Sequence, residues 1–356
     1  MIATEKIMIE KTKNSRLGEV DFNHLPFGSI MSDHMLVSDY IDGEWGSSSI
    51  IPFGNIAMSP TMLALHYGQI VFEGMKAFKM KDGSISIFRV EKHYDRFCKS
   101  MERMCIPAMS FDHFNEALKT LIKLDAAWVP GTEGSSLYIR PFVFASEERF
   151  GVKVAEEYKF IIFSGPVGPY YSNPLKVKVE DKYRRAARGG TGSAKCAGNY
   201  GGAFYPSSLA RKEGFDQVLW TDGSADLNIE ESGTMNVMFM INDVFVTPPL
   251  SDSILDGVTR DSFITIAKDM GIKIEERKIG APELISAHEK GILQEAFGTG
   301  TAAVVAPIQV INIKGKDYTL PTVKDSNVAL KIKQRLLDIR LGNAPDKNNW
   351  NTIIKP

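Results

Sequence analysis

Lys195 stands in the run Gly189–Gly202, GGTGSAKCAGNYGG, where glycine, alanine and serine make up most of its neighbours. Small residues let a flat ligand approach the backbone and leave a lysine unscreened by bulk. Lysine is the side chain that forms Schiff bases, provided its pKa is lowered or a carbonyl is held against it. Taken alone, the run also fits a mobile surface loop that contains a lysine.

Two other segments have the makings of an anion cradle. Gly257 precedes an expected helix start at Val258, where free backbone N–H groups and the positive end of the helix dipole favour a phosphate. Gly298–Ala302 (GTGTA) is a second small-residue loop with hydroxyl donors. Each is also a common plain turn, and neither has the spacing of a P-loop or a dinucleotide fingerprint. A Schiff-base lysine with two phosphate-cradling loops suggests pyridoxal 5'-phosphate. That cofactor needs an acidic partner for its ring nitrogen, so that the ring can take up electrons. The run NIEESGTMN (228–236) offers Glu230 and Glu231 between two expected strands.

The elements that must position these residues are legible as patterns. Ser84–Phe88 alternates and follows the turn Lys81-Asp82-Gly83, so it reads as a strand. Val90–Met104 places Tyr94, Phe97, Met101 and Met104 on one helical stripe, with Arg96, Lys99 and Arg103 off it. Ser136–Phe144 and Tyr158–Ser164 read as buried strands. Gly165–Pro174, with three prolines and two glycines, marks a break between domains. The division expected is 1–168, a linker over 169–178, and 179–356. Beyond it follow a helix near Gly202–Lys212, a strand over Gln217–Thr221, and strands Asn236–Ile241 and Val244–Thr247 joined by a hairpin turn at Asn242-Asp243. A helix over Val258–Met270 stops at Gly271.

Composition excludes several classes. The chain has 356 residues and a formal net charge of -1, which gives no electrostatic case for nucleic acid or a membrane surface. Its apolar runs are far too short to span a bilayer. The first residues lack an apolar core and carry Glu5 and Glu10, which argues against a secretory signal. Cys98, Cys105 and Cys196 form no disulfide or metal pattern, and the six histidines show no metal-type pairing, so no metal is expected and a cytoplasmic location fits.

The runs FGSIMSDHML (27–36), LHYGQIVFEGMKAF (65–78), SLYIRP (136–141), GPVGPYY (165–171), RRAARGGTGSAKCAGNYG (184–201), VLWTDG (218–223), EESGTMN (230–236), VTPPLSDSILDGVTRDS (246–262) and EAFGTGTAAVVAP (295–307) together resemble the branched-chain-amino-acid aminotransferases. These are pyridoxal-phosphate enzymes of fold type IV, and the match is to their longer, animal-like branch. The resemblance implies an α+β, two-domain fold. A smaller N-terminal α/β domain and a larger C-terminal pseudo-barrel domain would hold the cofactor at their interface.

It also implies roles. Lys195 would carry the cofactor and shuttle the proton. Arg96, in HYDRF, would grip the phosphate, with Val258, Thr259 and Thr301 completing the cup. Tyr200 would hydrogen-bond the phenolic oxygen, Glu231 would pair with the ring nitrogen, and Arg185, ten residues before the lysine, would support the site. Thr234 and Ala302 would line the substrate side. Phe27, Tyr67, Phe72, Tyr138, Arg140 and Tyr170 resemble the substrate pocket, and Val152 resembles a residue given by a neighbouring subunit of a homodimer. Substrates would be L-leucine, L-isoleucine, L-valine, L-glutamate and their 2-oxo acids, as in amino-acid biosynthesis. Animal relatives carry Cys-x-x-Cys where this chain has Ala303 to Ala306, so thiol switching is not expected, and Cys196 reads as a packing residue. The alternatives are a D-amino-acid aminotransferase, an aminodeoxychorismate lyase, or a pyridoxal-phosphate-binding protein without activity.

Overall fold

The computed structural model describes residues 7–170 and 173–355. Tyr171, at the end of GPVGPYY, and Ser172, in the expected linker, lie outside the described residues, as do the first six. The chain packs as two units. The first comprises Met1–Tyr170, Ala194–Ala197 and Ile339–Pro356; the second comprises Tyr171–Ser193 and Gly198–Asp338.

The first unit is built on a ten-stranded sheet. Its centre is the long antiparallel pair Ser136–Ala145 and Tyr158–Val167, registered over their whole length. Outward on one side lie His34–Ile41, Ser49–Pro52 and Met8–Ile9; on the other lie Met75–Lys79, Ile85–Phe88 and Asn351–Ile354. The helices Val90–Arg103 and Phe111–Leu124 bury apolar stripes in one core with this sheet, where Phe97 and Phe114 meet Phe160. Ser110 caps the second helix by accepting a hydrogen bond from the His113 N–H at 3.2 Å.

The last strand, Asn351–Ile354, pairs with Ile85–Phe88, and the lysine segment pairs with Ile70–Phe72. Those two distant segments give the first unit more of the chain than the second. Long-range strand pairing assigns residues to a sheet regardless of their place in the sequence.

The second unit is a closed ring. Its strands follow the order Ile229–Ser232, Gln217–Thr221, Leu175–Val179, Val304–Ile313, Leu293–Gly300, Met235–Ile241, and the last pairs back onto the first. Closure removes the edges that an open sheet would expose. The expected hairpin is present: Met235–Ile241 pairs with Val244–Thr247, and Asn242 and Asp243 have φ of 49° and 61°, the conformation a two-residue type I′ turn requires.

Two expectations change. The break anticipated at Gly165 starts later, since Gly165, Pro166 and Val167 complete the strand and pair with Tyr138, Leu137 and Ser136. Gly165 is needed there for room: a Cβ would lie 2.0 Å from the Ile30 carbonyl oxygen. The Gly298–Ala302 run is not wholly a loop, because Gly298–Gly300 end a strand and only Thr301–Ala303 turn.

Gly165→Ala must push Ile30 away or bend the strand. It is expected to lower the unfolding free energy by about 1–3 kcal/mol, measured by urea unfolding. An unchanged midpoint would show that the strand gives without strain.

Candidate active site

In the first unit the lysine is fixed through its backbone. Phe72 N–H donates to the Lys195 carbonyl at 3.0 Å and Ala197 N–H donates to the Ile70 carbonyl at 3.1 Å. Cys196 bridges Val71 between them. On the other side, Lys195 N–H donates to Ser100 Oγ at 2.9 Å, and Ser100 Oγ donates to the Arg96 carbonyl at 2.9 Å. The Lys195 backbone is thus held from both sides, and Lys195 Nζ lies 4.8 Å from the centroid of the Phe72 ring. Cys196 is buried in the apolar core, as a packing residue should be. Cys98 is partly buried, and burial pushes its thiol pKa up, away from a reactive thiolate.

Arg96 is buried, on the same helix face as His93 and Ser100 and next to the apolar stripe. The spacing 93, 96, 100 puts these polar side chains in one row. What makes burial tolerable is Glu73, which the sequence reading did not single out. Arg96 Nε and Nη2 donate to its two carboxylate oxygens at 2.7 and 2.8 Å, and His93 Nδ1 donates at 2.9 Å. Burial pushes the Glu73 carboxyl up, but the Arg96 charge and the hydrogen bonds from His93 and Arg96 outweigh it and hold the group well below the usual carboxylate range. The available signal was an acid inside the apolar run QIVFEGMKAF.

The aromatic residues form one group. Phe27 meets Tyr138 and Tyr170 edge to face at 5.1 and 4.9 Å. Arg140 Cζ lies 4.8 Å from the Phe72 centroid and 5.3 Å from that of Tyr138, and its Nη2 donates to Tyr138 Oη at 3.2 Å. Arg140 Nε is buried without a hydrogen-bond partner. Tyr67 is placed differently: it ends the short helix Leu63–Tyr67 and donates to the Phe150 carbonyl. Val152, two residues on, points outward and is 78% exposed.

In the second unit the two glutamates lie within a strand, Ile229–Ser232, rather than between strands. Alternation sends them to opposite faces, where their surroundings differ. Glu231 is buried, with Arg185 Nε 2.7 Å from Oε2, while Asn236 Nδ2 and Leu255 N–H reach Oε1 at 3.2 and 3.1 Å. Arg185 is itself tied to the carbonyls of Gly192 and Ser253. Glu230 accepts from Ser253 Oγ, its other oxygen has no partner, and it borders a cavity with Asp222, Asn228 and Lys278. Burial pushes its carboxyl pKa up more than the Ser253 hydrogen bond and Arg185 pull it down. Adjacent acids are thus set apart by environment.

Asn236 also anchors the approach to the helix Val258–Asp269, through Nδ2 to the Leu255 carbonyl at 2.9 Å. A Cβ on Gly257 would lie 1.9 Å from Asn236 Oδ1, so only glycine fits. No side chain caps this helix, and Val258 and Thr259 are buried with N–H groups that have no acceptor among the described residues. A buried, uncapped helix start offers backbone donors and a positive dipole end that favour an anion. Thr301 and Ala302 lie in the turn after Leu293–Gly300, partly buried; Thr234 is exposed in the hairpin turn after Ser232; Tyr200 lies on the helical turn Gly198–Gly201. Among the described residues no acid, histidine and cysteine cluster could hold a metal, and no helix is long and apolar enough to cross a membrane.

Residues 70–311 match the family described as amino-transferase class IV. Branched-chain-amino-acid aminotransferase 2 of Bacillus subtilis (strain 168) is 42% identical over 98% of this chain and 97% of its own length. The solved branched-chain aminotransferase of the archaeon Thermoproteus uzoniensis, with norvaline, superposes with a TM-score of 0.74 at 26% identity, covering 90% of this chain and 100% of that one. The Thermobaculum terrenum branched-chain amino acid aminotransferase in its PLP form shares the fold, with a TM-score of 0.74 at 22% identity over 91% and 99% of the two chains. The chain belongs to the class IV aminotransferases, in the two-domain arrangement of fold type IV. Branched-chain-amino-acid transaminase 1 of the same Bacillus subtilis strain is 41% identical over 99% of both chains.

Because the Glu230 pKa is raised on folding, the stability it contributes is complete below its unfolded value near 4.5 and is lost as pH rises through the folded value. Glu230→Gln is neutral throughout. Its urea midpoint should match the parent at about pH 4 and exceed it at about pH 7. A gap that does not widen with pH would mean that the carboxyl is not destabilised by burial.

Proposed function

We propose that the protein catalyses the reversible transfer of the amino group of L-leucine, L-isoleucine or L-valine to 2-oxoglutarate, giving the branched 2-oxo acid and L-glutamate. The observation that carries this reading is the Phe72 cluster. Lys195 Nζ and Arg140 Cζ each lie 4.8 Å from that ring centroid, within a group that includes Tyr138, Phe27 and Tyr170. An aromatic wall suits branched aliphatic side chains. A guanidinium with a buried, unpartnered Nε suits the second carboxylate of glutamate. Such a wall separates leucine, isoleucine and valine poorly, since one methylene is worth only ~1–3 kcal/mol. Broad activity over all three follows.

The residues fit pyridoxal 5'-phosphate as cofactor. A buried carboxylate, an uncapped helix start and a backbone-fixed lysine are the donor set it requires. Lys195, Arg96, Tyr200, Glu231, Val258, Thr259 and Thr301 would hold it, with Arg185 orienting Glu231. Thr234 and Ala302 would line the substrate side. When bound, the cofactor supplies an electron sink for the substrate's α-carbon. Lys195 Nζ then takes up and returns the α-proton. Glu231 keeps a proton on the ring nitrogen, with Arg185 and Asn236 holding its carboxylate in place. Arg96 and the Val258 and Thr259 amides bind phosphate. The aromatic wall keeps water from the reacting carbon.

The working form is proposed to be a homodimer. Phe150, Val152 and Val154 are 79%, 78% and 53% exposed, an apolar loop that a second copy would cover. Three free cysteines support a cytoplasmic location.

Two measurements test the proposal. The purified protein should be yellow, and borohydride reduction followed by peptide mapping should leave a pyridoxyl group on Lys195; its appearance on another lysine would refute the assignment. Arg140→Ala should lower kcat/KM for glutamate by a factor equivalent to ~2–5 kcal/mol while sparing leucine. Equal losses would assign Arg140 to the carboxylate that both substrates share.

A further inference from the structure

Glu73 is wholly buried and makes four hydrogen bonds through its carboxylate. We infer that Glu73 is a positioning residue for phosphate recognition: its carboxylate fixes the plane and direction of the Arg96 guanidinium. The inference rests on the reading that Arg96 holds the cofactor phosphate.

The geometry commits the Nε–Nη2 edge of Arg96 to Glu73, at 2.7 and 2.8 Å. Paired hydrogen bonds between two planar groups define an orientation, which a single contact does not. The direction in which Arg96 is presented is therefore set by Glu73. Glu73 is in turn held from other sides. His93 Nδ1 donates to Oε2 at 2.9 Å and Gly74 N–H donates to the same oxygen at 3.2 Å. Burial pushes the His93 pKa down, so the ring is neutral and Nδ1 carries the proton that an ionised carboxylate accepts. The Glu73 backbone is fixed as well, through its N–H to the Pro141 carbonyl at 2.7 Å. It directly follows the strand Ile70–Phe72 that binds the lysine segment. One stretch, Ile70–Glu73, therefore sets both the Lys195 backbone and the Arg96 side chain.

A residue that merely stabilised the fold would affect all ligands alike. A residue that aims Arg96 affects only ligands with a phosphate. The test uses the full-length protein freed of cofactor, with pyridoxal 5'-phosphate and pyridoxal as probes, and dissociation constants from tryptophan fluorescence quenching. Arg96→Ala and Glu73→Gln should each weaken pyridoxal 5'-phosphate about ten- to a hundredfold while leaving pyridoxal within about twofold. Glu73→Asp keeps the counter-charge of the buried guanidinium but shortens the reach, so it should fold and show a smaller loss of the same phosphate-specific kind. If Arg96→Ala is phosphate-specific but both Glu73 variants bind like the parent, the inference fails and the Arg96 reading stands. If Arg96→Ala leaves the ratio of the two constants unchanged, the Arg96 reading fails and takes the inference with it. Equal loss of both ligands in the Glu73 variants, whether by misfolding or by a collapsed pocket, would make Glu73 purely structural and overturn the proposal.

Discussion

The structure depends on how a flexible side chain is given a rigid root. Lysine has four rotatable bonds and a compact charge, and unless its backbone is fixed it cannot be aimed. Here the backbone is fixed by pairing. Ala194–Ala197 lies along Ile70–Phe72, and Ser100 takes up the Lys195 N–H on the far side. The small residues around Lys195 follow from this. A segment that must enter a sheet, pair and leave again within four residues has no room for bulk at Ala194 or Cys196, both buried in the apolar core.

The second unit solves a different problem, that of keeping a carboxylate buried. Glu231 lies on the strand that closes the ring, where it has strands on both sides. Arg185, Asn236 and the Leu255 amide reach it from three directions. Burying a charge is tolerated only with such partners. Its neighbour Glu230 has fewer, and its pKa rises accordingly.

Local pattern made much of this legible. The Lys195 run, the Asn242-Asp243 hairpin and the helix starting at Val258 each announce themselves within a few residues, because turn chemistry and helical periodicity are local. What could not be read depends on residues far apart in sequence. Glu73 looks like an interruption in an apolar run until Arg96 and His93 are folded against it. Arg96 reads as off the apolar stripe, yet its helix has a second, polar row that is also buried. The prolines after Ser164 signal a break, but Pro166 sits in a pair with Leu137 and the strand continues past it. The pairing of Ala194–Ala197 has no signature in its own composition.

The last strand carries a consequence for how the protein is made. Asn351–Ile354 is an outer strand of the first sheet and pairs with Ile85–Phe88, more than 250 residues earlier. On the ribosome, the first unit therefore emerges early but waits with an open edge at Ile85–Phe88 until Asn351–Ile354 is made, and with a second open position along Ile70–Phe72 until the lysine segment appears. Unpaired strand edges are templates for association with the wrong partner. A nascent chain that stalls anywhere between those points presents a nearly complete sheet with a free rim. Removing Asn351–Ile354 would leave the folded protein in the same condition.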